Sequence, residues 1–268
     1  MDDLLSNLVE SIEDLATEAA EYKYTFETPE EVKFNELPYL RTGARVTALR
    51  EASADSINVH SLQGLVDYVA AKFSAAIAFT AIRNNDKVGL VLFTDDAELY
   101  IPPGKGRSHI LRVIREILFF QPEGTGTNLV AAMDFTNQVI KRRAVAFLIS
   151  DFCLPGDFNT SLNSLRPKLR ITGRRHDLVA VSVNDQRERE LPDIGLLTIE
   201  DSETGEQVEL DTSRPEIRSR FKELAETRQN SLRRAIRSVG VDMLELSTER
   251  SYLADLLQFF SSRERRRH

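Results

Sequence analysis

Three stretches of this chain carry oxygen donors of the kinds that hold a hard cation. Glu51, Ser53, Asp55 and Ser56 sit in one polar loop, Thr125, Thr127 and Asn128 in a second, and Ser150 and Asp151 in a third. Carboxylates, hydroxyls and waters are the donor set of magnesium, which keeps octahedral geometry and completes its shell with water. An open position on such an ion can accept a carboxylate from a partner. Asp151 also has a plainer reading, as the cap of a following turn or helix, and position alone leaves both open.

Other chemistries fit less well. Gly104-Lys105-Gly106-Arg107-Ser108 has part of a phosphate-loop pattern, but the full spacing is absent and Pro102-Pro103 rather than a strand precedes it. Gly124-Thr125-Gly126-Thr127 lacks the third glycine of a dinucleotide fingerprint. Cys153 and His176 are expected at opposite edges of a parallel sheet, which argues against a nucleophile–base pair. His60, His109, His176 and His268 show no zinc-ligand spacing.

The elements that must position these residues are legible as apolar patterns. Ala144 to Phe152 holds an unbroken apolar run ending in Ser150-Asp151, which reads as a strand buried on both faces, as in a parallel sheet. Open α/β folds place their sites at the carboxyl ends of such strands. Val88–Phe93 and Leu178–Val183 read the same way, Val241–Leu246 reads as a last strand, and Arg45–Leu49 reads as a short first core strand. Glu98–Ile101 reads as an edge strand that Pro102-Pro103 stops. Leu62 to Ala81 carries the clearest helical spacing, with Ser61 as candidate N-cap. Further helices are expected from Ser108, from Thr127-Asn128, over Phe158–Ile171 with an interruption at Pro167, over Pro215–Val239 and from Tyr252. Leu196–Ile199 and Gln207–Leu210 suggest an inserted hairpin. Leu4 to Ala19 reads as an acidic amphipathic helix, whose apolar stripe packs on this chain's own body or on a partner. Residues 1–40 are therefore read as a divergent helix and connector, and 41–268 as the main domain. Strands alternating with helices imply a mostly parallel sheet with helices on both faces.

Composition sets outer limits. The chain has 268 residues, a net charge of −7 and a single cysteine, Cys153. General nucleic-acid affinity is not expected, and an internal disulfide cannot form. The acidic start Met1-Asp2-Asp3 and the lack of a long apolar run lead us to expect a cytoplasmic protein without a membrane span. The basic tail Arg263 to His268 reads as a solvated helix end.

Many motifs, in order over residues 65–268, resemble the bacterial von Willebrand factor A-like proteins of the domain-of-unknown-function 58 family, typically encoded beside MoxR-type AAA+ ATPases. They include Ala78-Phe79-Thr80-Ala81-Ile82-Arg83-Asn84-Asn85-Asp86, Ile101-Pro102-Pro103-Gly104-Lys105-Gly106-Arg107, Gly126-Thr127-Asn128-Leu129, Phe147-Leu148-Ile149-Ser150-Asp151-Phe152, Arg174-Arg175-His176-Asp177 and Tyr252-Leu253-Ala254-Asp255. The resemblance implies a Rossmann-like von Willebrand factor A fold with a metal-ion-dependent adhesion site. Thr127 matches that site's threonine and Asp151 its last aspartate. The first loop departs from the pattern Asp-x-Ser-x-Ser, since Glu51-x-Ser53-x-Asp55 agrees only at Ser53. The implied role is a non-enzymatic interaction module with a degenerate site, taking Mg2+ and a MoxR-type ATPase partner in complex assembly or cofactor insertion. A metal-dependent hydrolase and a scaffold without a working site are the alternatives.

Overall fold

Strand β5 (Asp177–Asn184) is buried at every position after Asp177. Its run Leu-Val-Ala-Val-Ser-Val is apolar on both sides of the pleat, so it needs cover on both faces. It has that cover, and a parallel neighbour on each side. β4 (Val145–Ser150) pairs in register from Val145 with Asp177 to Ser150 with Ser182, and β8 (Asp242–Ser247) from Asp242 with Val179 to Ser247 with Asn184.

The computed structural model describes residues 45–47, 60–83, 85–124, 126–154, 156–200, 207–248, 255–256 and 258–259. The other elements are β1 (Arg45–Thr47), α1 (His60–Arg83), β2 (Val88–Phe93), β3 (Ala97–Gly104), α2 (Arg107–Phe119), α3 (Leu129–Val139), α4 (Phe158–Arg175), β6 (Leu196–Glu200), β7 (Gln207–Asp211) and α5 (Pro215–Ser238). The chain is a mixed α/β protein built on a parallel three-stranded sheet with helices on both faces.

Alternate residues of β5 enter two cores. Leu178 and Ala180 join Leu129 and Met133 of α3, Leu162, Leu165 and Leu169 of α4, and Leu232 and Ile236 of α5. Val179, Val181 and Val183 join Val69 and Phe73 of α1 with Leu244, Leu246, Leu256 and Phe259. Phe73 meets Phe147 of β4 edge-on, with ring centroids 5.8 Å apart. A third core sets Ala71 of α1 and Val113 and Ile117 of α2 against the β2–β3 hairpin. Helix α1 therefore covers both the hairpin and the parallel sheet. Asn137 ties α3 to α4 by donating to Thr172 Oγ1 at 2.8 Å.

Several expectations are corrected. A single, mostly parallel central sheet was expected, but the described strands form three sheets, β4–β5–β8, β2–β3 and β1–β6–β7. Arg45–Thr47 is not a parallel core strand; it pairs antiparallel with β6, on the edge of the hairpin expected at 196–210. Only Val46 of its three residues is apolar, too few for two-sided burial. β3 runs through Pro102-Pro103 to Gly104. Proline is tolerated there because β3 pairs on one side only, with β2. α4 continues through Pro167, which is solvent-exposed, because Leu165 and Leu169 anchor the buried face on either side of it. The predicted helix over Leu4–Ala19 and the site residues Glu51, Ser53 and Asp55 lie outside the described residues, as does most of the segment from Tyr252.

Leu169, on the buried face of α4, has no exposed surface and belongs to the larger core. Leu169→Ala is expected to cost about 2–5 kcal/mol. Urea unfolding should show a lower midpoint with an unchanged slope.

Candidate functional site

Each parallel strand ends in a hydroxyl or amide residue followed by another acceptor, and such a pair also follows β2 in its own sheet. Thr94-Asp95 follow β2, Ser150-Asp151 close β4, Asn184-Asp185 close β5, and Ser247-Thr248 close β8. The apolar runs fill the sheet, and polar residues begin where the strands leave it. Parallel pairing then gathers the ends of β4, β5 and β8 at one edge.

The β4 loop is folded on itself. Phe152 N–H donates to Ser150 Oγ at 3.0 Å and Cys153 N–H to Asp151 Oδ1 at 3.0 Å. Phe152 takes a left-handed φ of 57°, and its ring is buried. Asp151 thus does serve as a turn cap, one of its two expected roles. It is half-buried, and burial pushes its carboxyl above the usual value, against the pull of the Cys153 N–H and the Arg228 charge. Arg228 lies over the Phe158 ring, 4.9 Å from its centroid.

Glu188 adds a second acid to this edge. Much of it faces solvent, but its carboxylate turns back to accept from Asp185 N–H at 3.4 Å. Burial first, and then the Asp151 charge, push it up to about 7. Asp185 is buried and accepts a hydrogen bond from the Thr248 hydroxyl, which ties the ends of β5 and β8 together. The Cys153 thiol is pushed well up, by burial and then by Asp151, so it is not a poised nucleophile.

Thr127 reaches the same edge on a loop held by acceptors in the β2–β3 turn and at the start of β3. Glu98 accepts from Glu123 N–H at 2.8 Å, from Gly124 N–H at 2.9 Å and from the Thr94 hydroxyl. Asp95 Oδ2 accepts from Gly126 N–H at 3.2 Å, and Asn128 N–H donates to Thr94 O at 2.7 Å. Asn128 then caps α3, its Oδ1 accepting from Ala131 N–H at 3.0 Å. Glycine is required at 126, since a Cβ there would run into the Asp95 carboxylate. The loop leaves Thr127 3% exposed, with its hydroxyl unpartnered among the described residues.

Of the expected site residues, Thr127 and Asp151 both lie at the carboxyl edge. In type they fit a hard cation, as a buried hydroxyl without a partner and a desolvated carboxylate. Among the described residues, no three His, Cys, Asp or Glu side chains converge as metal ligands. A cation here would therefore rely on hydroxyls, water and the first loop. Asp95, Glu98, Asp185 and Glu188 were not singled out from the sequence, although Asp95 and Asp185 follow apolar strands just as Asp151 does. Cys153 and His176 lie at opposite edges of the sheet, so no pair forms between them.

The model of the family described as "Protein of unknown function DUF58" matches residues 49–231, and the chain belongs to that family. It is 33% identical over 194 residues to the uncharacterised protein Rv1480 of Mycobacterium tuberculosis, covering 72% of this chain and 59% of the relative. The uncharacterised protein MAV169 of Mycobacterium avium is 35% identical over 167 residues, covering 62% of this chain and 94% of the relative. The chain thus spans about three fifths of the length of the Mycobacterium tuberculosis protein it matches. A crystal structure of the conserved hypothetical protein BatB from Bacteroides thetaiotaomicron aligns with a TM-score of 0.40 at 14% identity, over 75% of this chain and 86% of that one. No described helix is long and apolar enough to cross a membrane.

Partial desolvation alone would raise the Glu98 carboxyl, but the Thr94 hydroxyl and two backbone N–H groups outweigh it and hold the carboxyl below its usual 4.5. A depressed folded pKa gives stability that is present above 4.5 and lost as pH falls through the lower, folded value. Glu98→Gln should therefore be less stable than wild type at pH 7, with the gap closing as pH drops below 4.5. Thermal melts of both proteins across that range check this.

Proposed function

We propose that the protein is a non-enzymatic interaction module of the von Willebrand factor A type, whose carboxyl-edge loops bind a partner's carboxylate through a magnesium ion. The observation that carries this reading is the Thr127 hydroxyl, buried without a partner among the described residues on a loop pinned by long-range hydrogen bonds. An unpaired buried hydroxyl costs about 1–3 kcal/mol, so a loop built to hold one calls for a ligand. Asp151 would supply the charge, and Ser53, Asp55 and Glu51 of the first loop would complete the donor set. Bound magnesium would offer an open position to an acidic side chain.

The motif resemblance supports a MoxR-type AAA+ ATPase as the partner, in complex assembly or metal insertion into a client, in the cytoplasm. Two groups of the site support the non-enzymatic reading. The Cys153 thiol is held protonated, and Asp151 already accepts from its own loop.

Calorimetric titration with magnesium and then manganese tests the site. Wild type should release or absorb heat with one-site stoichiometry, and Asp151→Ala and Thr127→Val should not. Without metal, Thr127→Val should melt higher than wild type, because it removes the unpaired hydroxyl and keeps the shape. Equal titrations in all three proteins would overturn the metal site. Turnover of a generic phosphoester lost in Asp151→Ala would overturn the non-enzymatic reading.

A further inference from the structure

The opposite edge of the parallel sheet has a different character. α3, α4 and α5 all end there, just before β4, β5 and β8 begin. Each of these three junctions carries exposed cations, namely Lys141, Arg142 and Arg143 after α3, Arg174 and Arg175 at the end of α4, and Arg237 in the last turn of α5. Arg175 donates to Asn137 O at 2.8 Å and caps α3. The other five have no ion-pair partner among the described residues. Asp177 and Asp242, the carboxylates at the strand starts, are engaged in contacts of their own.

Arginine at a helix carboxyl end is ordinarily a complement to the helix dipole. Three helix ends of about half a negative charge each do not offset six cations. The surplus is felt locally. His176 is 1% exposed, and burial first, then the charges of Arg175 and Arg143, hold it below its ordinary value. Beside this edge a cleft of about 340 Å³ runs along α5, lined by Thr227, Asn230, Arg233, Arg234 and Arg237. Arg233 is committed to Glu245 at 2.8 and 2.9 Å, which leaves Arg234 and Arg237 as the cations of the cleft without a carboxylate among the described residues.

The complement to this surface is in the same chain. Residues 1–44 hold eleven Asp and Glu against three Lys and Arg, although the whole chain has a net charge of only −7. Residues 45–268 are therefore almost neutral overall, and six of their 32 Lys and Arg lie at this edge. The acidic segment joins the described fold at β1, and 44 residues would reach about 66 Å even if wholly helical. A strand as long as β5 spans only about 27 Å from edge to edge.

We propose that the acidic segment of residues 1–44 docks in cis on the arginine-rich amino edge of the sheet, held by charge and displaced by salt. The opposite, carboxyl edge is left clear by this docking, so the proposal stands apart from the function proposed above.

The full chain tests it, with Cys153→Ala and Gln138→Cys carrying a nitroxide label at the exposed end of α3. In about 50 mM salt, the amide signals of residues 2–36 should lose more than half their intensity through paramagnetic relaxation, and should recover in about 1 M salt. Arg142→Glu, Arg143→Glu and Arg174→Glu together should restore them at low salt, with the signals of buried β5 unchanged as the check on folding. No loss at low salt would overturn the proposal, as would a loss that neither salt nor charge reversal relieves. Loss seen only when a labelled chain is mixed with an isotope-enriched unlabelled one would assign the surface to a second copy and overturn docking in cis.

Discussion

The parallel ladder of β5 with β4 and β8 is the constraint from which the remaining architecture follows. A strand with two backbone neighbours and two covered faces has no solvent-facing side, so its sequence must be apolar almost throughout. Val179, Ala180, Val181 and Ser182 have no exposed surface. Splitting alternate residues between two cores forces α1 onto one face and α3, α4 and α5 onto the other. Ser182 breaks the apolar run near its end, and Asn184 Nδ2 donates to its hydroxyl at 2.7 Å. That bond satisfies a buried polar group where the strand approaches its polar edge.

Parallel strands also sort charge. Because β4, β5 and β8 point the same way, every helix that returns between them ends at the amino edge, and every loop that leaves them lies at the carboxyl edge. Acceptors accumulate on one side, where Asp151 and Asp185 lie close enough to help raise the proton affinity of Glu188. Arginines accumulate on the other, where helix carboxyl ends favour them. The polarity of the molecule is thus a consequence of strand direction.

This also explains how much could be read from the sequence. The runs at Val88, Val145 and Leu178 were legible because two-sided or one-sided burial leaves no room for polar residues. Asp151 was legible because it follows such a run directly. The family motifs placed Thr127. Glu98 was not legible, since its role depends on amides 25 and 26 residues away that meet it only after the β2–β3 hairpin has formed. Glu188 owes its shifted carboxyl to the turn after β5, and no local pattern marks that. Arg45–Leu49 misled because a short segment flanked by polar residues has the same composition whether it enters a core or the rim of a hairpin. Pro167 misled because its cost to α4 is offset by leucines on the buried face, whose contribution is tertiary.

The Asp151 and Thr127 loops of the carboxyl edge are fixed by different means. The Asp151 loop is short-range, held by its own serine and aspartate within a few residues. The Thr127 loop is long-range, held by one carboxylate of the β2–β3 turn and one at the start of β3. Such bonds to charged acceptors contribute about 1.5–3 kcal/mol each, enough to offset one unpaired hydroxyl. The stability spent on Glu98 and Asp95 is therefore what lets Thr127 sit buried and unsatisfied. A loop meant only to connect β3–α2 to α3 would gain by turning that hydroxyl to solvent. Its retention inside, at the edge that also holds Asp151, is the reason we propose a ligand for this edge.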